Sequence, residues 1–326
     1  MRLLITGGAG YIGSLIARRL REAGHEAAIV DDLSTGHRAA VRAEDLTVGD
    51  FGDRGLVRDV LGRRRIEAVV HLAASSLVGE SVQDPARYYR NNLERSLALL
   101  DTLRESGVSR FVLSSTAAVY GEPVALPMRE DHPTHPTNPY GETKLALEKA
   151  LHWYHAAHGM TFVSLRYFNA AGAAVDGSLG EVHRPESHLI PNVLRSALEG
   201  DPVPIFGADY ATPDGTAVRD YVHVEDLAEA HVQALERLER RGGATIYNLG
   251  NGAGFSVRQV IETASRVTGR PIATRPSGRR PGDPETLVAS AELARRDLGW
   301  LPRLPALESI LESGWKFLRA HPRGYD

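Results

Sequence analysis

The sequence predicts an α/β protein: a doubly wound parallel sheet over residues 1–170, followed by a smaller α/β domain over 171–326. Three observations predict it. A short apolar segment at the start runs directly into a glycine-rich turn. Strand-like and helix-like stretches then alternate, the pattern of a parallel sheet built from βα units. Past Gly172 that alternation weakens, and glycine, proline and histidine become frequent through Asp214.

Leu3-Leu4-Ile5 is apolar, partly β-branched and too short for a helix, so it reads as a central strand. Gly8, Gly10 and Gly13 then satisfy the spacing G-x-G-x-x-G, and Gly7, Gly10 and Gly13 the looser G-x-x-G-x-x-G. Side chains there would block a tight turn, the approach of backbone to a pyrophosphate, and close helix–strand packing. The helix expected from Tyr11 to Ala23 keeps Ile12, Leu15, Ile16 and Leu20 on one stripe. Its first turn offers free N–H groups and a positive dipole end to phosphates. The next strand, Ala27 to Val30, ends in Asp31-Asp32, 18 residues past Gly13. An acid at that place accepts the hydroxyls of an adenosine ribose and repels a 2′-phosphate, so the expected cofactor is NAD rather than NADP.

Further strands are expected at Ala68–Leu72, Arg110–Leu113 and Thr161–Leu165, with an amphipathic helix over Asn92–Ser106. Ligands of such Rossmann-type sheets sit beyond the carboxyl ends of the strands, where Thr6, Ala73 and Ser114 to Thr116 fall. In the second half, Asp220 to Asp226 introduces a helix expected to run to about Arg237, and a strand is expected at Thr245–Leu249. Arg270–Glu285 is composed like a solvated linker, ahead of an ordered Leu287–Ser290.

Bulk properties exclude several classes. A net charge of −3 supplies no basic face for nucleic acid. No apolar run approaches the roughly 20 residues a membrane helix needs, and the chain opens on a strand rather than a leader. Without cysteine there is no disulfide, thiol nucleophile or cysteine-ligated zinc, so a cytoplasmic protein is expected. His152, His155 and His158 recur on one helix but lack a convergent third ligand, so no metal is expected.

The reactive constellation is Tyr140 and Lys144, four residues apart and therefore on one helical face. A free phenol, with a pKa near 10, is a poor base. A lysine one turn away is expected to lower it by a few units, and the Thr116 hydroxyl at a strand end can relay the proton. Beside a nicotinamide, that arrangement means redox chemistry at a carbinol carbon.

These residues, together with Val78-Gly79-Glu80-Ser81-Val82, Leu165-Arg166-Tyr167-Phe168-Asn169, Asp214 to Tyr221 and Arg279-Arg280-Pro281-Gly282-Asp283, give the chain its resemblance. It resembles the extended short-chain dehydrogenase/reductases and, among them, the UDP-galactose 4-epimerases, over nearly its whole length. The resemblance implies tightly held NAD, Tyr140 as base at the sugar 4-hydroxyl, and Lys144 on the nicotinamide ribose. It implies a cofactor lining of Gly7, Gly10, Tyr11, Ile12, Gly13, Asp31, Asp32, Leu33, Ser34, Thr35, Gly36, Asp50, Phe51, Leu72, Ala73, Ala74, Ser76, Asn92, Ser114 and Phe168. It also implies a UDP-sugar lining of Thr116, Tyr167, Asn169, His188, Leu189, Pro204, Ile205, Phe206, Arg219, Tyr221, Arg280, Asp283 and Leu287, with Phe206 against the uracil. Planar arginines suit phosphate oxygens.

Thr116 stands where serine is common, keeping the hydroxyl; Ser76 stands where a cofactor-binding lysine often sits. Leu287 replaces a tyrosine of some relatives, which leaves room for N-acetylated sugars. Relatives dimerise through the helices that carry Leu97, Leu100, Leu147, Leu151 and Trp153, so a homodimer is expected. A 4,6-dehydratase would need two carboxylates after Thr116, where this chain has Ala117-Ala118. An epimerase of UDP-xylose or UDP-glucuronate, and an NAD-sensing protein without chemistry, stay open as alternatives.

Overall fold

The computed structural model describes residues 1–280 and 284–325, so Asp283 lies outside the described residues. A seven-stranded parallel sheet forms the centre. Its strands are β1 (Arg2–Thr6), β2 (Glu26–Asp31), β3 (Leu46–Val48), β4 (Ala68–His71), β5 (Arg110–Thr116), β6 (Thr161–Tyr167) and a seventh, Ala244–Leu249. The order across the sheet is seventh, β6, β5, β4, β1, β2, β3. β1 therefore pairs with β2 on one side and β4 on the other, with Leu4 opposite Ala28 and Val69. The order reverses between β1 and β4, and sheets of this kind bind their ligands outside the carboxyl ends at such a reversal.

The period of two along each strand divides the core. Leu3 and Ile5 face the helices Tyr11–Glu22 and Val224–Arg241; Leu4 faces Arg54–Arg64, Arg95–Glu105 and Pro139–His158. The seventh strand pairs in parallel with β6, Tyr247 opposite Leu165, so residues past 170 complete the first sheet. A separate core gathers Ile190 and Val193, Val260 and Ile261, and Ile310 and Leu311 from three helices.

Three local expectations change. The helix expected from Asn92 starts as a π turn, Tyr89–Glu94, before the α-helix Arg95–Glu105; such wide turns recur at functional sites. The linker-like stretch contains a strand, Thr274–Ser277, paired with Val203–Phe206. Backbone pairing there satisfies N–H and C=O groups whatever the side-chain composition. The helix after Asp220 extends to Arg241. No helix among the described residues is long and apolar enough to cross a membrane.

Burial also sets acid sensitivity. Burial pushes His71 down to about 3, with Lys144 adding to the effect, and pushes His223 and His231 down to about 4. A histidine with a depressed folded pKa adds stability above its unfolded value near 6.5, and that stability drains as pH falls toward the folded value. At pH 5 each of the three costs about 2 kcal/mol relative to neutral pH. Asp31, Asp220 and Asp226, raised by burial, oppose this only as the carboxylate range is reached. Urea denaturation should therefore give falling stability from pH 7 to 5. His231→Leu should flatten that limb by about 1 kcal/mol per pH unit; an unchanged slope would contradict the assignment.

Candidate active site

The glycine turn is shaped by close approaches. A Cβ on Gly13 would lie 2.2 Å from the Gly7 carbonyl, and one on Gly7, at φ +73°, would lie 2.5 Å from the Ala73 nitrogen. Gly10 differs: its only neighbour would be the Gly7 oxygen at 3.5 Å, leaving a cradle over the first turn of the helix Tyr11–Glu22. No side chain caps that turn, so its N–H groups are available to an anion. Asp31 is buried, and its carboxylate accepts from the backbone N–H of Ala9 and Leu33, both at 2.9 Å. It thus fastens the glycine turn to the loop after β2, with one lone pair per oxygen left over. Asp32 is exposed and accepts from the Ser34 amide and hydroxyl; Thr35 is exposed too, and Leu33 and Gly36 are half-buried.

At the end of β4, Leu72 and Ala73 donate backbone N–H groups to the Thr6 carbonyl, which brings their loop against the glycine turn. Ala74 is half-buried and Ser76 exposed. Asn92, 2% exposed, accepts from the Ser75 amide at 2.8 Å and donates to its carbonyl at 2.9 Å and to Thr143 at 3.3 Å. Asp50 pairs with Arg95 at 3.1 Å, and Phe51 packs edge-on to His71. Ser96 spends its hydroxyl proton on the Asn92 carbonyl, so it accepts from His71 Nε2–H, and His71 Nδ1 accepts from Thr6. That chain needs a neutral imidazole.

Beyond β5 the structure brings together Thr116, Tyr140 and Lys144. Asn138 caps the helix Pro139–His158 through the Gly141 amide, which places Tyr140 in the first turn and Lys144 one turn later. Tyr88 packs edge-on to Tyr140 at 6.4 Å, and the Thr116 hydroxyl accepts from the Ala118 amide at 3.1 Å. The Lys144 ammonium, 2% exposed, donates to the Ser114 carbonyl at 2.8 Å, and Ser114 bonds the Tyr167 hydroxyl.

One expectation is corrected here. Tyr140 is not held as a phenolate by Lys144: burial raises its pKa, and the hydrogen bond with Thr116 only partly opposes this. The ammonium is committed to a carbonyl, and burial lowers Lys144 itself to about 8 against the pull of Glu148. Shared helical face does not mean shared hydrogen bond.

Glu148, one turn past Lys144, was not legible as part of the site. It accepts from Ser115 at 2.6 Å, Ser164 at 2.8 Å and Arg166 at 2.6 Å, both charges being almost fully buried. Arg166 also donates to Tyr120, which donates to Asn248. The available signal was the i+4 spacing from Lys144 and an arginine inside an apolar strand.

The sugar-side residues are gathered less completely. Asn169 donates to the Asp220 carbonyl at 3.0 Å, and Tyr221 is buried in the strand that pairs with Asn169. Phe168 and Leu287 pack in one cluster with Ala117, Tyr120 and Leu145. Ile205 is corrected: it is buried in the third core, so alternation leaves Pro204 and Phe206, not Ile205, half-exposed. Arg280 lies 3.9 Å over the Phe206 ring. Arg219 donates to the Val218 and Pro284 carbonyls at 2.7 and 2.6 Å. Leu189 opens the helix Leu189–Glu199, and His188 pairs with Glu181.

A family model describing the NAD dependent epimerase/dehydratase family matches residues 3–250. The chain belongs to that family. Among its relatives, the UDP-glucose 4-epimerase of Halalkalibacterium halodurans is 50% identical over 326 residues, covering 100% of this chain and 98% of that one. A crystal structure of UDP-glucose 4-epimerase matches at TM-score 0.97 and 47% identity, covering 100% of both chains. The Bifidobacterium longum UDP-glucose 4-epimerase, solved with NAD+ and UDP, matches at TM-score 0.95 and 37% identity, over 99% of this chain and 100% of that one. Both solved structures match this fold over essentially the whole chain, the strand that ends in Thr116 and the helix that carries Tyr140 and Lys144 included.

Proposed function

We propose that the chain is a cytoplasmic NAD-dependent UDP-glucose 4-epimerase, interconverting UDP-glucose and UDP-galactose by transient oxidation at sugar C4. The observation that carries this is the meeting of Thr116, Tyr140 and buried Lys144 at the carboxyl end of β5, in a chain half identical to enzymes of that name. The dinucleotide is assigned to residues 1–170 with the seventh strand, and the UDP-sugar chiefly to the rest.

The chain's own groups fit NAD: the Gly10 cradle over an uncapped helix start takes the pyrophosphate, and Asp31 keeps lone pairs for a ribose. When bound, NAD supplies reversible hydride acceptance from sugar C4. Tyr140 takes the O4 proton as C4 is oxidised, with the Thr116 hydroxyl bridging the two oxygens. Burial alone raises the phenol, so accepting the O4 proton requires the phenolate, a form that the positive charge of a bound nicotinamide would favour. Once protonated, Tyr140 returns that proton to O4 when the 4-keto sugar is reduced on its other face. Lys144, fixed by Ser114, places a donor toward the cofactor ribose. Arg280 and Arg219 are assigned to the diphosphate and Phe206 to the uracil, the guanidinium over the ring marking where base and phosphate meet.

A coupled assay over a panel of UDP-sugars tests the reading. UDP-galactose and UDP-glucose should interconvert fastest. Turnover of UDP-N-acetylglucosamine would show that Leu287 leaves room at C2. Protein that carries NAD yet is inert toward every UDP-sugar would instead favour a sensor.

The same reading includes a homodimer built on the helices Arg95–Glu105 and Pro139–His158. Leu100, Leu147 and Leu151 are spent in the core, so half-buried Leu97 and Trp153, 75% exposed, are the residues left for a partner. Light scattering that gives only monomer at micromolar concentration would remove the dimer.

A further inference from the structure

The segment ahead of the helix Leu189–Glu199 carries a cluster of which only His188 is counted in the UDP-sugar lining, and Glu181, His183 and Glu186 have no part in the reaction. Glu181, His183, Glu186 and His188 each present one ligand atom, all within 4.8 Å of one another. The individual separations are close to the edges of a metal tetrahedron. His183 Nδ1 lies 3.1 Å from Glu181 and 3.8 Å from Glu186, and His188 Nδ1 lies 3.6 Å from Glu186 and closer to Glu181. Tetrahedral zinc with bonds of about 2.0–2.1 Å has ligand–ligand edges of about 3.3 Å.

A second observation is independent of that spacing. The Glu186 side chain is 1% exposed, and its Oε2 has no hydrogen-bond partner among the described residues. The other Glu186 oxygen accepts from the Ser187 and His188 amides, while Oε2 has, among the described residues, only His183 Nδ1 at 3.8 Å, beyond hydrogen-bond distance, so its second lone-pair site is open to a cation. His183 Nδ1, also buried, aligns with no acceptor although Glu181 is within reach. The two atoms without a hydrogen bond lie 3.8 Å apart, within the group whose ligand atoms are all inside 4.8 Å of one another.

We propose that Glu181, His183, Glu186 and His188 form a structural site for a divalent transition metal, zinc in the first instance. Two imidazoles disfavour magnesium and calcium, which take oxygen ligands, and the N2O2 set suits zinc. Four protein ligands close the site, which makes its role structural rather than catalytic. The segment is held on both sides already. The Val182 carbonyl accepts from His37 Nε2 at 3.1 Å; Tyr11 donates to the Gly172 carbonyl at 2.6 Å; and Gly180 bonds Tyr325. A metal there ties the glycine-turn helix, through this segment, to the helix that begins at Leu189.

The earlier expectation of no metal rested on His152, His155 and His158. Their rings are occupied otherwise: His152 packs on Phe162, His155 bonds the Met160 carbonyl, and His158 packs on Tyr154.

Zinc titration of EDTA-dialysed protein, followed with a chromophoric chelator, tests the site without reference to activity. Wild-type protein should bind one zinc per chain and gain thermal stability with added zinc. Cobalt in its place should give the visible bands of tetrahedral coordination. His183→Ala and Glu186→Gln should each weaken binding by at least about 100-fold, more than loss of an outer-shell partner causes. His158→Ala should bind as wild type, and circular dichroism should show all variants folded. No stoichiometric uptake by wild type, unchanged affinity in either ligand variant, or loss in His158→Ala alone would each overturn the proposal.

Discussion

Tyr140→Phe should lower kcat for UDP-galactose epimerisation by about 10²–10⁴-fold and leave KM nearly unchanged. The substitution removes the one oxygen that can take the O4 proton and keeps the ring. Packing against Tyr88 at 6.4 Å is therefore preserved, and so is the helix start capped by Asn138. Thr116 and Lys144 stay in place, since Thr116 is held by the Ala118 amide and Lys144 by Ser114. The loss should consequently fall on the chemical step rather than on UDP-sugar binding. Steady-state kinetics beside NAD content and circular dichroism check this. Equal turnover of variant and wild type would remove Tyr140 as the base.

The largest effect on stability should come from Glu148→Ala, at about 3–5 kcal/mol by urea denaturation. Arg166 is 4% exposed at the side chain and Glu148 2%, so neither charge has water to fall back on. Without Glu148 the guanidinium keeps, among the described residues, the Tyr120 hydroxyl and the Glu130 carbonyl, and Ser115 and Ser164 lose their acceptor. Replacing both partners, Glu148→Leu with Arg166→Met, should cost far less, because no uncompensated charge is left. Glu148 also reaches the chemistry. It is the group that opposes the burial-driven fall of Lys144, so Glu148→Gln should move Lys144 below about 8 and shift the alkaline limb of the rate profile to lower pH. A double variant as unstable as the single one would contradict this account of the pair.

The nucleotide half of the molecule was legible because its signals are local. The glycine spacing, the apolar runs of β1 and β2 and the acid after β2 each act within a few residues of themselves, and the folded turn uses them as such. Local signals do not say which neighbour a strand takes. Thr245–Leu249 was visible as a strand, but its place beside β6 follows from packing across the whole sheet. Nor do they say where a long side chain ends. Spacing put Tyr140 and Lys144 on one face, yet the ammonium reaches back to Ser114, and burial rather than Lys144 sets the direction in which the phenol shifts. Glu148 and Arg166 were illegible for a related reason: isolated charges are ordinarily solvated, and only the closed core pairs them. The cluster from Glu181 to His188 spans an irregular segment, so no periodicity could announce it.

The central claim is that C4 of the sugar is oxidised and then reduced by the same hydride within one binding event, with Tyr140 handling the proton. The most direct measurement follows UDP-galactose deuterated at C4 through turnover in ordinary water, by NMR of the product. The account predicts UDP-glucose with the deuterium retained at C4 and no hydrogen taken there from solvent. Deuterium lost to water at C4 during epimerisation would contradict it.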